Sequence, residues 1–381
     1  MKGVSPSPRL RLQRLALVLV TLLSVAGTLE LGLRASWEGY YLKTRRIYRQ
    51  PHRTRGWENL PGIQLEYGKP EFAFAVRHDE RGLRIPVAGP RPGDRPFRIL
   101  VLGDSFAYGI GVEEEESFVA GIERAFPRVR TFNAGVAGYG TSQELQTLRE
   151  LGPELAPDFV LLAFFWNDVP TSLYADVPRF TLEGGQLTYH PPGPNDERPV
   201  FHGKHVPPAI LNHSYAYRFL SDRWKMLRLR VALLVGADRI RFEMLRPENL
   251  EQAWALERAL LAEIARECRR QGAGFLFVVI PDQVQVDHNA EVVGLRPEDY
   301  RVQERLATIA REQGFEILDL LPGLRDAAER SSAPLYYRID RHLTPAGHRA
   351  AGQLIVEALR PRLRAAGALE ALSVRRTRPD P

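Results

Sequence analysis

Residues 97–105 read Phe97-Arg98-Ile99-Leu100-Val101-Leu102-Gly103-Asp104-Ser105. A short apolar run, interrupted once by Arg98, stops at a glycine and delivers a serine. Runs of this length without strict alternation suit a strand buried on both faces of a parallel sheet. Four more follow along the chain. Residues 129–134 are interrupted by polar side chains and so belong nearer an edge. Residues 159–165 (Phe-Val-Leu-Leu-Ala-Phe-Phe) are the clearest, 275–280 are stopped by Pro281, and 315–320 close the series. Helical periodicity separates them. Residues 115–126 carry Phe118, Ile122 and Phe126 at spacings of four, and 142–151 carry Leu145, Leu148 and Leu151 at spacings of three. Longer helical patterns cover 250–271, 298–313 and 345–365. Strands alternating with helices predict a three-layer α/β/α sandwich around a central parallel sheet, over residues 97–367.

Outward from this domain the pattern weakens. Residues 170–247 show no strand–helix unit, yet hold Tyr174, Phe180, Tyr189, Tyr215, Tyr217, Phe219 and Trp224 with His190, His202, His205 and His213. So long an irregular stretch reads either as a lid or substrate wall or as an insertion that only packs. Its basic, partly amphipathic part, 223–246, reads as a membrane-touching surface or as a solvated helix face. Residues 34–96 are rich in Arg, Pro and Gly and read as a stalk and irregular lead-in, with a linker at 87–96. Residues 368–381 read as a disordered tail. At the other end, Lys2, Arg9, Arg11 and Arg14 precede an apolar segment, 15–33, broken by Glu30. As a helix it would span roughly 28 Å at about 1.5 Å per residue, close to a hydrocarbon core of about 30 Å. The expectation is a single-pass signal anchor with residues 1–14 cytoplasmic and the rest outside. A cleaved signal peptide ending near Ser24-Val25-Ala26 is the alternative, and a buried helix a third reading.

The 381 residues carry 52 Lys+Arg against 46 Asp+Glu, a net charge of +6. The arginines are scattered rather than blocked, so nucleic-acid binding is not indicated. One cysteine, Cys268, excludes an intramolecular disulfide and a cysteine-based metal site and leaves the compartment open.

Four short constellations fall after successive strands, on the side where open α/β sheets bind ligands. The first is Gly103-Asp104-Ser105. The second is Asn133-Ala134-Gly135-Val136-Ala137-Gly138-Tyr139-Gly140, whose glycines let backbone N–H groups approach a ligand. The third is Trp166-Asn167-Asp168, which offers a side-chain amide. The fourth is Asp340-Arg341-His342-Leu343-Thr344-Pro345. In an extended chain residues two apart share a face, so Asp340 and His342 pair. Thr344 reads as a helix N-cap with Pro345 first in the helix. Each taken alone is an ordinary turn.

Together, and in this order, the four resemble the blocks of the SGNH/GDSL hydrolase family over about residues 97–360. The resemblance implies a flavodoxin-like sandwich, and the apolar N-terminal span, read above as a transmembrane helix, suits the family's membrane-anchored bacterial members. It also implies a nucleophile at Ser105, a base at His342 oriented by Asp340, and an oxyanion hole made by Ser105, Gly138 and Asn167. Two departures stand out. Phe165 and Trp166 precede Asn167-Asp168 where the family has Gly-X-Asn-Asp. Asp340 and His342 are two apart rather than three, a form similar to members related to polysaccharide O-acetylation. Asp319 as the orienting acid and His348 as the base are the alternatives this leaves. The implied reaction is acyl-ester cleavage through an acyl-enzyme on Ser105, on an O-acylated carbohydrate or other envelope ester, without metal or organic cofactor. An O-acyltransferase acting on an envelope polysaccharide shares the intermediate. A non-catalytic glycan-binding or assembly protein of the same fold is the reading from another class.

Overall fold

The computed structural model describes residues 8–36, 48–69, 71–86, 96–173, 179–191, 214–217, 219–221, 223, 224, 227, 247–287 and 301–368. The chain forms two compact units, residues 1–47 with 203–237, and residues 48–202 with 238–381.

The first unit contains α1, Pro8–Ser36. Its Leu12–Ser36 stretch is long and apolar enough to cross a membrane, and from Leu12 to Thr28 its side chains are exposed. A helix of this kind at an N-terminus serves as a membrane anchor or as a signal sequence. Near its end Leu33 is buried with Tyr215 and Ala216, and Leu29 and Phe219 pack beside them.

The second unit is built on a five-stranded parallel sheet of β5 (Phe97–Gly103), β6 (Val129–Asn133), β7 (Phe159–Phe165), β10 (Gly274–Ile280) and β11 (Glu316–Asp319). Their order is β11-β10-β7-β5-β6. Strand residues point alternately to opposite faces, and here both faces are covered. Ile99, Val101, Leu161 and Ala163 enter one core. With them go side chains of α3 (Phe118–Ala125), α9 (Leu321–Arg330) and α10 (Pro345–Ala365). Leu100, Leu102, Val160, Leu162 and Phe164 enter the other with α4 (Thr141–Leu155), α6 (Pro247–Arg270) and α8 (Val302–Gln313). This double burial explains why the strands read as continuous apolar runs. The polar-interrupted strand, β6, is at an edge. Shorter helices are α2 (Ser105–Tyr108), α5 (Asp168–Leu173) and α7 (Gln283–Val286).

Two regions differ from the expectation. Residues 48–77, read as stalk, form antiparallel pairs, β1 (Arg49–His52) with β2 (Gly56–Asn59) and β3 (Gln64–Lys69) with β4 (Phe72–Arg77). Phe72, Phe74 and Val76 alternate inward on β4 and share a core with Tyr108 and Ile110, just past Ser105. Residues 170–247, read as lacking regular units, begin within α5 and contain a hairpin, β8 (Arg179–Glu183) with β9 (Gln186–His190). Phe180 and Tyr189 lie with ring centroids 5.0 Å apart and join the second core. Tyr174, His202, His205, His213 and the tail 369–381 fall outside the described residues.

Candidate active site

β5 delivers Ser105 through a turn that only glycine can make. Gly103 has φ +149°, and a Cβ there would meet the Ala163 carbonyl oxygen at 2.6 Å and Ala107 Cβ at 2.7 Å. Asp104 then caps α2, its Oδ1 accepting the Phe106 N–H at 2.8 Å. Ser105 is thus the first residue of a helix, where backbone N–H groups have no intrahelical acceptor. Buried Arg84 holds the other end of this turn. Its Nη1 donates to the carbonyls of Tyr108 and Gly109 at 2.6 and 2.7 Å, and its Nη2 to that of Val112 at 2.6 Å. A cation on the last carbonyls complements their partial negative charge.

The acid and the imidazole arrive on a tight turn. Tyr337 N–H donates to the His342 carbonyl at 2.8 Å, and Arg341 N–H to that of Tyr337 at 3.1 Å. The pair does not share a face through an extended chain, as its spacing suggested. Arg341 between them adopts the left-handed region, φ +70°, a conformation costing a non-glycine residue about 1–3 kcal/mol. Its guanidinium is fixed on Asp282 at 2.7 Å. Thr344 caps α10 at Gly347 N, with Pro345 first in the helix.

These turns meet. His342 Nε2 is 2.7 Å from Ser105 Oγ, and His342 Nδ1 is 2.5 Å from Asp340 Oδ1. With the Nδ1 proton donated to Asp340, Nε2 is left to accept from the serine hydroxyl. The Phe106 ring lies 4.9 Å from the imidazole, centroid to centroid. The two alternative residues lie elsewhere. His348 is buried against Phe118, accepts its N–H at 3.3 Å, and is pushed down to about 3 by burial. Asp319 Oδ1 accepts the Leu321 N–H at the start of α9.

Two neighbours of Asp340 were absent from the sequence reading. Lys69, at the end of β3, places Nζ 2.5 Å from Asp340 Oδ2. The Glu71 carboxylate accepts the N–H groups of Ile339 and Asp340, at 2.9 and 2.7 Å. The available signal was the Phe72, Phe74, Val76 alternation, which marks a strand beginning beside Glu71. Burial alone would raise the Asp340 carboxyl. The His342 hydrogen bond and charge, with the Lys69 ammonium, outweigh that and hold it below the usual carboxylate range.

Gly138 lies in the loop after β6. The preceding carbonyl, of Ala137, accepts from Trp57 Nε1 at 3.2 Å and from the Arg49 guanidinium. In a trans peptide the C=O and N–H point in opposite directions, so the Gly138 N–H is aimed away from Trp57. The same loop touches the turn that carries Ser105, because a Cβ on Gly135 would lie 2.3 Å from Tyr108 N. The Asn167 side chain lies close enough to the Asp104 carboxylate to counter the effect of its burial, and Asp104 Oδ2 is 3.3 Å from Ser105 Oγ. Asp104 belongs to a layer of buried acids with Glu144, Asp168 and Glu257. Burial and mutual repulsion raise Glu144 and Asp168 well above the ordinary range. Burial raises Glu257 to about 8 despite the Thr141 hydroxyl at 2.6 Å. Among the described residues no cluster of His, Cys, Asp and Glu could hold a metal ion.

A family model described as an SGNH hydrolase-like domain, acetyltransferase AlgX, matches residues 240–380, a stretch that includes Asp340 and His342 and not Ser105. No curated protein matches the chain. Among solved structures, the chain is similar to TesA at 15% identity and a TM-score of 0.37, covering 69% of this chain and 98% of that one. It is similar to an acetyl xylan esterase, AlAXEase, at 12% identity and 0.40, covering 69% and 100%. A catalytic mutant of the acetylxylan esterase Axe2 from Geobacillus stearothermophilus gives 14% identity and 0.38, covering 70% and 95%.

Proposed function

We propose that the chain is a serine-dependent enzyme that cleaves acyl esters through an acyl-enzyme on Ser105. The observation that carries this reading is the unbroken hydrogen-bonded series from Ser105 through His342 to Asp340, at 2.7 and 2.5 Å, beyond the carboxyl end of a parallel sheet. Ser105 Oγ attacks the ester carbonyl carbon while its proton passes to His342 Nε2. Asp340 keeps the imidazole tautomer and stabilises the imidazolium. The oxyanion is received by the Ser105 and Gly138 N–H groups and the Asn167 amide, donors typically worth about 3 kcal/mol each. The C–O bond to the alcohol then breaks and that oxygen takes the proton from His342. A water or a sugar hydroxyl next attacks the acyl carbon, giving its proton to His342, and Ser105 Oγ recovers it as it leaves.

A hydroxyl acceptor makes the reaction an O-acyl transfer to an envelope glycan, favoured by the match of residues 240–380 to a domain described as that of an acetyltransferase. An acetyl donor labelled in the acyl group, incubated with and without an acetyl-free glycan, separates the outcomes. Free acetate in both reactions marks an esterase, and label moving to the glycan marks a transferase. Release of neither by the wild-type protein from any acetyl ester tried counts against both. We also read α1 as an uncleaved anchor that leaves residues 34–381 outside the cytoplasm, after a basic start at Arg9, Arg11 and Arg14. A mature N-terminus mapped near Gly27 would replace it with a secreted form.

A further inference from the structure

We infer that the helical residues 215–217, 219–221, 223, 224 and 227 lie on the surface of the lipid bilayer, docked to α1 through Glu30. The inference rests on the reading of α1 as a membrane anchor. Glu30 interrupts the apolar Leu12–Ser36 stretch, where a bare carboxylate facing lipid is costly. It is not bare. It accepts from the Ser214 hydroxyl at 2.9 Å, the Tyr215 N–H at 3.0 Å, the Ala216 N–H at 2.8 Å and Arg34 Nε at 2.8 Å. A side chain of α1 thus caps the first N–H groups of these helical residues and meets their partial positive charge. Tyr215, Ala216 and Phe219 pack on Leu29 and Leu33, and the Arg34 guanidinium sits over the Tyr215 ring.

What this packing leaves outside is the telling feature. Leu220, Trp224 and Leu227 are 55%, 60% and 51% exposed, and spacings of four and three put them on one helix face. At about 3.6 residues per turn that face lies roughly a quarter-turn from the one on α1. A helix running along a membrane from the side of a spanning helix needs this arrangement, one face to the span and the adjacent face to lipid. Glu30 lies near the end of the apolar stretch, so the second helix begins near the level of the headgroups, where tryptophan is favoured. Residues 218–230 carry Arg218, Arg223, Lys225, Arg228 and Arg230 against one acid, Asp222, which suits anionic headgroups.

The test uses the full chain in vesicles of phosphatidylethanolamine and phosphatidylglycerol, with an NBD fluorophore attached through Trp224→Cys or, separately, Val20→Cys. Cys268 is buried and its thiol pushed up to about 12 by burial, so it does not compete for the label. Lipids brominated in the acyl chain should quench both positions. Adding Glu30→Ala should reduce quenching at 224 and leave it at 20. Quenching at 20 without quenching at 224 overturns the inference and spares the anchor. Self-quenching at 224 that fades on diluting labelled with unlabelled chains, without bromine quenching, assigns the face to a second copy and also overturns it. No quenching at either position removes the anchor, and the inference with it.

Discussion

Asp340 stands between an imidazole and an ammonium, and that position sets the first prediction. Its Oδ1 faces His342 and its Oδ2 faces Lys69. The ammonium neutralises part of the charge that would otherwise stabilise the imidazolium. Lys69→Met should therefore move the acid limb of kcat/KM to higher pH, by roughly one unit, an interaction of about 1.4 kcal/mol. Lys69→Arg should restore the wild-type profile. A hairpin that served only for packing would lower kcat at every pH and leave the limb in place. In the proposed mechanism Ser105 and His342 act as a unit, so Ser105→Ala and His342→Ala should each cost about three orders of magnitude or more in ester cleavage. The double variant should lose little beyond either single one. Asp340→Asn should cost up to about 10⁴-fold, because the amide favours the wrong tautomer. His348→Ala should lower the melting temperature and leave kcat nearly unchanged, since it accepts a buried N–H of α3 rather than touching Ser105. Ser105, Asn167, Asp340 and His342 were legible in the sequence because each sits in a short turn next to its strand or helix. Lys69 was not, because it acts across 271 positions of chain and a lysine in an Arg-, Pro- and Gly-rich stretch carries no local signal.

At the level of elements, α4, α5 and α6 each bury an acid, in Glu144, Asp168 and Glu257. Glu257 is raised from its ordinary 4.5 to about 8 by burial. Its contribution to stability is present below its unfolded value and disappears as pH rises through the folded one. The melting temperature of the unit that holds the sheet should accordingly fall between about pH 4.5 and about pH 8. Glu257→Gln should flatten that fall and raise the melting temperature at pH 8 relative to wild type. An unchanged slope would mean that the group ionises freely. Gly135→Ala should cost both folding stability and activity, because its methyl would collide with the backbone under Ser105. The sheet strands were readable to within a residue at either end, since alternate residues enter two cores and leave a continuous apolar signature. α9 was missed although Pro322 in its first turn is a helix-start signal. The two hairpins before the sheet were missed because prolines, glycines and arginines around them hid the alternation of Phe72, Phe74 and Val76.

Across the whole chain, composition and the order of apolar runs marked out a parallel α/β domain and an apolar N-terminal helix. They did not show that residues from Tyr48 onward share a compact unit with the sheet, because that depends on Arg84, Trp57 and Lys69 reaching distant turns. The account of the chain as an enzyme rests on one atom, Ser105 Oγ. The most direct test is to treat the full-length protein with a fluorophosphonate and map the adduct by peptide mass. A nucleophilic Ser105 should give a single covalent adduct on that residue, which disappears with ester turnover in Ser105→Ala and forms much more slowly in His342→Ala. Near wild-type turnover by Ser105→Ala, or an adduct on a different serine in a protein that loses activity, would contradict it.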